Sequence, residues 1–244
     1  MIVKPIKTKR VGLKSCSTVE LIEQFVKEIK EKSIVCVTSK VVSYCEGNVA
    51  KVNTQSDKEK LIKVEADYYV RLKKEFYGKK YLTIKRGAFI GDSGIDISAS
   101  KDLYLLWPKD PQSTANQIRK YLIKKFKIEN IGVIITDSKS APLKRGATGV
   151  SIAYSGFMPL KGEKKVANLV DGLAAAAVLV MGEAGEQQPI ALIEDIPFVK
   201  FTQGNPGDEE LQNFYLKMDE DIFKELLRQV SWKRNERSGI VECS

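Results

Sequence analysis

The chain has 244 residues, with 40 lysines and arginines against 31 aspartates and glutamates, so its formal net charge is +9. It contains no histidine, which excludes Ser-His-Asp and Cys-His nucleophilic couples and every metal site with imidazole ligands. With 43% hydrophobic and 29% charged residues, the composition is that of a folded globular protein and excludes a disordered chain.

Apolar periodicity along the chain alternates between short extended runs and helical stripes. In chain order we predict a strand in 2–10, a helix over 19–30, a strand over 33–39, a helix over 58–73, an extended segment over 81–89, a strand over 103–106, a helix over 111–125, a strand over 131–136, a helix over 166–181, short strands over 189–192 and 198–202, and a last helix over 219–230. This order predicts a mixed α/β fold of the α+β type.

The cysteine count and the hydropathy pattern indicate the compartment. Four cysteines without C-x-x-C spacing are too few for a disulfide framework in this chain, so we expect reduced, buried, structural thiols. No run approaches the roughly 18 consecutive apolar residues of a membrane span. We therefore expect a cytoplasmic protein without a membrane partner.

Basic side chains are in excess mainly in residues 1–86. Such a charge distribution suits polyanions, which include nucleotide phosphates and acidic metabolites as well as nucleic acid. Because the excess is almost all lysine and no nucleic-acid-binding motif is present, nucleic acid is the least favoured of these partners.

The strand predicted at 33–39 runs into Thr38, Ser39 and Lys40. Backbone N–H groups, hydroxyls and an ammonium group together bind phosphate, although an ordinary strand end explains the pattern equally well. The G-x-x-x-x-G-K-[ST] motif does not occur in the chain, so P-loop chemistry is excluded.

Two further segments place carboxylates beside hydroxyls. Asp92 and Asp96 are separated by four positions in a glycine-bearing stretch, which suits Mg²⁺ or Mn²⁺ but is explained more simply as a tight turn. Asp137 and Ser138 follow a buried strand and precede the basic pair Lys144-Arg145. The second arrangement is typical of a site for metal-bound phosphate.

A fourth segment follows the helix predicted over 166–181, which is rich in alanine. Gly182 is explained as the C-cap of that helix, but the acids after it are not, because negative charge at a helix C-terminus is unfavourable without a nearby cation. A bound divalent ion would reverse this cost. The segment comprises Met181, Gly182, Glu183, Ala184, Gly185, Glu186, Gln187 and Gln188.

Four motifs in this order, VTSKVVS, GDSGIDIS, IITDS with RGATGV, and DGLAAAAVLVMGE, resemble the coenzyme F-420-0 gamma-glutamyl ligase family. The resemblance extends from the N-terminus through Ile193. Members of that family are GTP-dependent, divalent-metal amide ligases that join L-glutamate through its amine to the terminal carboxylate of a deazaflavin cofactor. The family is similar in kind to folate polyglutamylation enzymes.

The resemblance implies an intertwined homodimer of two-domain α/β subunits. We predict a larger nucleotide- and metal-binding part from residues 1–75 and 130–244, and a smaller inserted part from residues 76–129. The implied ligands are two divalent cations, Mg²⁺ or Mn²⁺, and GTP or ATP as co-substrate, with K⁺ as a further candidate.

Matching the motifs position by position assigns a role to each candidate residue. Asp96 and Asp137 match ligands of the first metal, and Ser138 and Glu183 match ligands of the second. Ser39 and Lys40 match nucleotide contacts, as does the turn from Met181 to Gln188. The stretch 10–13 matches a further nucleotide contact only loosely.

The chain also departs from the family pattern. Ala99 stands where the family has a nucleotide-contacting Asn, Tyr44 where it has a Lys, and Ser140-Ala141 where it has Gly-Arg. A stretch of about a dozen residues between Pro159 and the alanine-rich helix is replaced by the short segment 161–165, which we interpret as a solvated turn. A different acceptor, a different nucleotide or a lost activity therefore stay open.

The expected function is a nucleotide- and metal-dependent ligase that adds L-glutamate by an amide bond to a carboxylate of a cofactor, through an acyl phosphate. Asp96, Asp137, Lys144 and Arg145 are the expected catalytic residues, the last two together with Lys40 as cations for phosphates and an anionic acceptor. The family-typical acceptor is coenzyme F-420-0. A folate acceptor and a non-catalytic metal- or nucleotide-binding protein are the alternatives.

Overall fold

The computed structural model describes residues 1–76, 78–98, 103–163, 165–182, 185–207, 210–211 and 214–235. In chain order its elements are β1 (Ile2–Ile6), α1 (Thr18–Phe25), β2 (Ser33–Thr38), α2 (Ser39–Glu46), β3 (Val49–Ala50), α3 (Gln55–Glu65), β4 (Tyr68–Phe76), β5 (Lys79–Lys85), β6 (Ala88–Gly91), a 3₁₀ turn (Asp92–Gly94), β7 (Asp96–Ile97), β8 (Tyr104–Leu105), α4 (Pro111–Phe126), β9 (Ile131–Ser140), β10 (Ala147–Ser155), β11 (Leu160–Lys161), β12 (Ala167–Asn168), α5 (Leu169–Met181), β13 (Ile190–Glu194), α6 (Lys224–Arg228) and β14 (Lys233–Arg234). The predicted mixed α/β fold is confirmed.

Two compact units make up the chain. The first consists of Met1–Val49 and Leu106–Glu210, and the second of Ala50–Leu105 and Leu211–Ser244. The predicted insertion, 76–129, coincides with the second unit only over 76–105. Residues 106–129 belong to the first unit because α4 packs on β9 and β10, and β4 belongs to the second because it pairs with β5.

A five-stranded sheet in the order β1-β13-β2-β9-β10 forms the centre of the first unit. β2 and β9 run parallel, whereas each of the other neighbouring pairs in this sheet is antiparallel. Ile34 to Val37 and Val133 to Ile135 are completely buried, as expected for nearly all-apolar strands that are covered on both faces. α4 packs on β9 and β10, and α5 packs along β10, β9, β13 and β1.

Three helices of the first unit, α1, α4 and α5, begin at sequence-encoded caps. Ser17 accepts a hydrogen bond from the backbone of Glu20, whose side chain bonds back to Ser17, so α1 begins with a capping box. Asp110 caps α4, which has Pro111 at its first position, as predicted. α1 ends at Phe25, and the predicted continuation to residue 30 is wrong because Val26 is already extended.

The second unit contains an antiparallel sheet in the order β14-β4-β5-β6 and the helix α3. The predicted helix over 58–73 is wrong in its second half. α3 ends at Glu65, and Tyr68 to Phe76 form β4, because consecutive aromatic and β-branched residues pack better on a sheet.

Several other predicted elements differ from the structure. α2 and β10 are a helix and a strand that the periodicity does not predict, and the segment 198–202 forms only an isolated bridge between Phe201 and Phe157. The last predicted helix, 219–230, is reduced to α6. The predicted helix 166–181 begins at Leu169, after β12 and the capping residue Asn168.

Gly149 of β10 allows α5 to pack closely against the sheet. A Cβ atom at this position would lie 2.5 Å from the backbone oxygen of Ala174 and 2.8 Å from the Val178 side chain, both in α5. A Cβ atom at Gly172, in the same helix, would meet nothing within 4 Å. A methyl group at position 149 must therefore displace α5, whereas one at position 172 displaces nothing.

We expect Gly149→Ala to lower the free energy of unfolding by about 1–3 kcal/mol because the helix must move away from the sheet. Gly172→Ala is the matched control and should raise it by about 0.5–1 kcal/mol, since alanine has the lower entropy cost in a helix. Urea denaturation followed by circular dichroism measures both. Equal effects of the two substitutions would contradict the close packing of α5 on β10.

Candidate functional site

One edge of the sheet in the first unit collects most of the predicted site residues. Thr38, the last residue of β2, pairs with Thr136 of β9, and its backbone N–H donates to the Pro189 oxygen at 3.0 Å. Because β2 and β9 are parallel and β13 is antiparallel to β2, the residues after β2, those after Thr136 and those before β13 lie at the same edge. We call this the β2–β9 edge.

α2 begins at the β2–β9 edge. Ser39 is its first residue and is buried, and Lys40 follows with an exposed side chain. The capping residue Thr38 makes no side-chain hydrogen bond to the first turn. The N-terminal amides of α2 and its positive dipole end therefore face the edge, as is favourable for an anion.

Asp137 and Ser138 lie in β9 directly after the completely buried Thr136, and both are partly exposed. One carboxylate oxygen of Asp137 accepts a hydrogen bond from the backbone N–H of Ser138 at 2.8 Å. The other accepts from the indole N–H of Trp107. These two bonds fix the plane of the carboxylate at the end of the buried part of the strand.

Trp107 is itself held in place by α2 and by the residues after it. The Nδ2 of Asn48 donates to the Trp107 oxygen at 2.5 Å, and the Oγ of Ser43 donates to the oxygen of Leu106 at 2.6 Å. The Trp107 side chain is 2% exposed. From the sequence this tryptophan is expected only to pack, and the signal that it does more is its place at the end of a strand before Pro108.

A second carboxylate joins α5 to β10. Oδ1 of Asp171, in the first turn of α5, accepts from the backbone N–H of Ser151 at 2.9 Å and from its hydroxyl at 2.7 Å. Lys139 of β9 lies 3.7 Å from Oδ2 of the same residue. These contacts fix the start of α5 on the sheet, and hence the direction in which its C-terminus points.

The turn after α5 leads back to the β2–β9 edge. Gly182 ends the helix, and its φ of +80° suits glycine. Gln187 has a positive φ of 58°, and its oxygen accepts from the backbone of Thr8 at 2.9 Å. Gln187 and Gln188, which directly precede Pro189 and β13, thus lie at this edge. Met181 ends α5, and Gly182, Gly185 and Glu186 lie between it and Gln187, while Glu183 and Ala184 lie outside the described residues.

Lys144 and Arg145 lie in the loop that joins β9 to β10, and both are exposed. Asp137 is three strand residues before the end of β9, which places this loop about 10 Å beyond its Cα at the usual rise per residue. Direct contact of both basic residues with a group bound at Asp137 would need their full side-chain length. Their predicted catalytic role therefore stays a prediction.

Asp96 and Asp92 belong to the second unit and have different environments. Asp96 is partly exposed in β7. Asp92 is completely buried, and its Oδ1 accepts from the backbones of Lys80 at 3.0 Å and Tyr81 at 2.9 Å, with Lys58 3.5 Å from Oδ2. Asp92 is therefore a structural residue, as the interpretation of this segment as a tight turn predicts.

Among the described residues, no group of three or more Cys, Asp and Glu side chains is placed to hold a metal ion. Of the four predicted metal ligands, Asp137 and Ser138 are adjacent in β9, Asp96 is in the other unit and Glu183 is outside the described residues. The oxygen-only chemistry of Asp137 and Ser138 suits a hard cation such as Mg²⁺ or Mn²⁺.

The departures from the family pattern have three different locations. Tyr44 is in the last turn of α2, five residues or about 7.5 Å along the helix from Ser39. Ser140-Ala141 lies at the end of β9, and Ala99 is outside the described residues. Of the shortened segment 161–165, Lys161 ends β11, and the other described residues, 162, 163 and 165, are exposed between β11 and β12, as expected of a solvated turn.

Comparison with known proteins tests the resemblance to the gamma-glutamyl ligase family. The sequence profile of the family described as F420-0:Gamma-glutamyl ligase matches residues 10–195. The chain belongs to this family. The coenzyme F420:L-glutamate ligase of Methanococcus maripaludis strain C7 is 30% identical over 260 residues, covering 92% of this chain and 100% of the relative.

Other relatives with the same name cover similar shares. That of Methanocaldococcus jannaschii is 29% identical over 84% of this chain and 89% of its own length, and that of Methanosarcina mazei is 25% identical over 82% and 86%. The resemblance drawn from the motifs is confirmed, and so is the predicted enzyme class, a ligase of the gamma-glutamyl type. In the part of the chain that the structure describes, every helix is too short or too polar to cross a membrane.

The Trp107–Asp137 hydrogen bond can be measured as a coupling energy. We expect Trp107→Phe to lower the free energy of unfolding by about 2 kcal/mol, because a bond to a charged acceptor is lost. The double variant with Asp137→Asn should show a coupling of about 1 kcal/mol between the two sites. Urea denaturation of the four proteins measures the cycle, and strict additivity would show that the indole N–H contributes nothing to the placement of Asp137.

Proposed function

We propose that this protein is a nucleotide- and divalent-cation-dependent gamma-glutamyl ligase that joins the amine of L-glutamate to a carboxylate of coenzyme F-420-0. Membership of the family supports the reaction class. The observation that carries the chemistry is the β2–β9 edge, where the N-terminus of α2, the Asp137-Ser138 pair and the turn before β13 lie together.

The residues at this edge suit a nucleotide triphosphate with its cation. Ser39, Lys40 and the N-terminal amides of α2 supply hydrogen-bond donors and positive charge for phosphate oxygens. Asp137 and Ser138 supply carboxylate and hydroxyl oxygens for Mg²⁺ or Mn²⁺, and the resemblance adds Asp96 and Glu183 to this set. A bound divalent cation would spread the charge of the transferring phosphoryl group.

The protein's part in the reaction is binding and orientation. The carboxylate of the acceptor attacks the terminal phosphate held by α2 and Lys40, which produces an acyl phosphate and the nucleoside diphosphate. The amine of glutamate then attacks the acyl carbon, the amide forms and phosphate leaves. The exposed Lys144 and Arg145 contribute positive potential that favours approach of the anionic acceptor.

Trp107 acts on this chemistry through Asp137. Its indole N–H holds one carboxylate oxygen in a fixed direction, so the remaining lone pairs point consistently toward a bound cation. Because outer partners of metal ligands set ligand orientation, loss of this bond should weaken cation binding without removing a ligand.

The acceptor and the nucleotide are open to direct assay. Purified protein with Mg²⁺ or Mn²⁺ and glutamate is given GTP or ATP, and either coenzyme F-420-0 or a folate. We expect phosphate release and a product longer by one glutamate with the deazaflavin, detected by mass spectrometry. If product forms with the folate and not with coenzyme F-420-0, the alternative acceptor is assigned. If no combination gives product, the ligase proposal is overturned.

Asp137→Asn should reduce product formation by about 100-fold or more, because it removes a charged cation ligand while leaving the shape of the side chain unchanged. The matched control is Asp195→Asn, an exposed aspartate after β13 at the opposite edge of the sheet. Activity of the control should equal that of the wild type. Unchanged turnover in Asp137→Asn would contradict its place in the site.

Trp107→Phe should weaken Mn²⁺ binding by about 10-fold, as measured by electron paramagnetic resonance of the free ion. The control is Trp232→Phe, whose indole donates to the Leu227 oxygen at 2.9 Å in the second unit. If wild-type protein binds Mn²⁺ and both variants bind it equally well, the positioning role of Trp107 is wrong.

The homodimer implied by the resemblance stays a proposal, to be measured by sedimentation equilibrium.

A further inference from the structure

Two cysteines outside the β2–β9 edge lie close together in the first unit. Cys16 precedes the capping residue of α1, and Cys45 is in the last turn of α2. The backbone N–H of Lys14 donates to the Tyr44 oxygen at 2.9 Å, so the two segments are in direct contact. Ser17 and Thr18, which directly follow Cys16, line one cavity together with Cys45.

Both thiols are reachable from solvent. Cys16 and Cys45 are partly exposed, whereas Cys36 is completely buried in β2. A cavity of about 150 Å³ opens beside Cys45. It is lined also by Ser17 and Thr18 at the start of α1, by Glu46 of α2 and by Thr114, Gln117 and Ile118 of α4. A molecule as small as hydrogen peroxide therefore has a path to Cys45 through this cavity, and Cys16 is itself partly exposed.

We infer that Cys16 and Cys45 are a redox modification site, which a peroxide converts from two thiols into one intramolecular disulfide. The inference rests on their juxtaposition and access and does not depend on the proposed ligase activity. Cys16 and Cys45 are partly exposed, so the expectation of buried, structural thiols is wrong for these two cysteines, and it holds for Cys36 in the core.

The chemistry is balanced with peroxide as the oxidant. The Cys16 sulfur attacks one peroxide oxygen, so that an S–O bond forms, the O–O bond breaks, and the second oxygen leaves as water with the thiol proton. The Cys45 sulfur then attacks the Cys16 sulfur, so that the S–S bond forms, the S–O bond breaks and a second water leaves. The two sulfurs lose two electrons and the peroxide gains them.

The order of the two steps follows from the environment of Cys45. The pKa of the Cys45 thiol is raised to about 12, mainly by burial and secondly by the nearby Cys16. Its thiolate is therefore scarce at neutral pH. Only the thiolate attacks peroxide readily. Cys16 is therefore the first residue to react, and Cys45 resolves the sulfenic acid that forms beside it.

The disulfide would connect the segment between β1 and α1 to α2. The beginning of that segment already contacts the turn before β13 through the bond from Thr8 to Gln187. A covalent link at Cys16 would fix its other end on α2, the helix whose N-terminus lies at the β2–β9 edge. Arg10 and Lys14, both exposed in this segment, would then be less accessible to proteases.

The experiment treats the full-length protein with a small excess of hydrogen peroxide and digests it with trypsin without reduction. The expected product is peptide 15–27 linked to peptide 41–51, lighter than the sum of the two by two hydrogens and separated by dithiothreitol. Cleavage of the native oxidised protein after Arg10 and Lys14 should be several-fold slower than that of the reduced protein. Links to peptide 33–40 or 238–244, links between chains, or sulfonic acids without a link would overturn the inference.

Serine variants and a denatured control separate the fold's contribution from general thiol reactivity. Cys45→Ser should accumulate a sulfenic acid on Cys16 that dimedone traps, whereas Cys16→Ser should react several-fold more slowly at Cys45. Circular dichroism confirms that each variant is folded. The digest of the wild-type protein tests the inference even if a variant does not fold. If the same link forms no faster in the folded protein than in urea, the juxtaposition in the structure plays no part.

Discussion

The parallel pairing of β2 with β9 is the constraint on which the rest of the first unit depends. β2 and residues 131–136 of β9 are mainly apolar and almost completely buried, so burial of apolar surface requires that they lie side by side beneath the helices. Their register, Thr38 beside Thr136, then places the polar residues that follow each strand at one edge. The site is a consequence of where the apolar runs stop.

The absence of histidine and the β2–β9 edge lead to the same chemistry. Without imidazole, a cation must be bound by carboxylates, hydroxyls and backbone oxygens, and such donors select Mg²⁺ or Mn²⁺. Asp137 and Ser138 are donors of this type, and the N-terminus of α2 beside them favours the anion that such cations accompany. Under the proposed function, the basic excess of the chain attracts nucleotide phosphates and an acidic acceptor.

The sequence pattern predicts best those elements whose ends are marked by local signals. α4 has a proline and a cap at its start and an unbroken apolar stripe, and it ends within one residue of its predicted end. The prediction for α3 extends too far because helical spacing of apolar residues continues into Tyr68 and Val70. These residues instead form β4, since strand pairing with β5 is more favourable there than a longer helix. The periodicity does not predict α2 because this helix is short. It does not predict β10 because Gly149 and Ser151 are weak strand signals, and their place in the strand depends on contacts with α5.

The sequence by itself determined the family, the oxygen-only chemistry and the candidate residues Ser39, Lys40, Asp137 and Ser138, because motif order and residue type are properties of the chain. Only the tertiary structure decided that these four share one edge, that Asp92 is structural, and that Trp107 orients Asp137. It also decided that the segments that carry Cys16 and Cys45 are in contact. Such contacts join residues far apart in the chain, and they arise from strand register and helix packing, which no local pattern encodes.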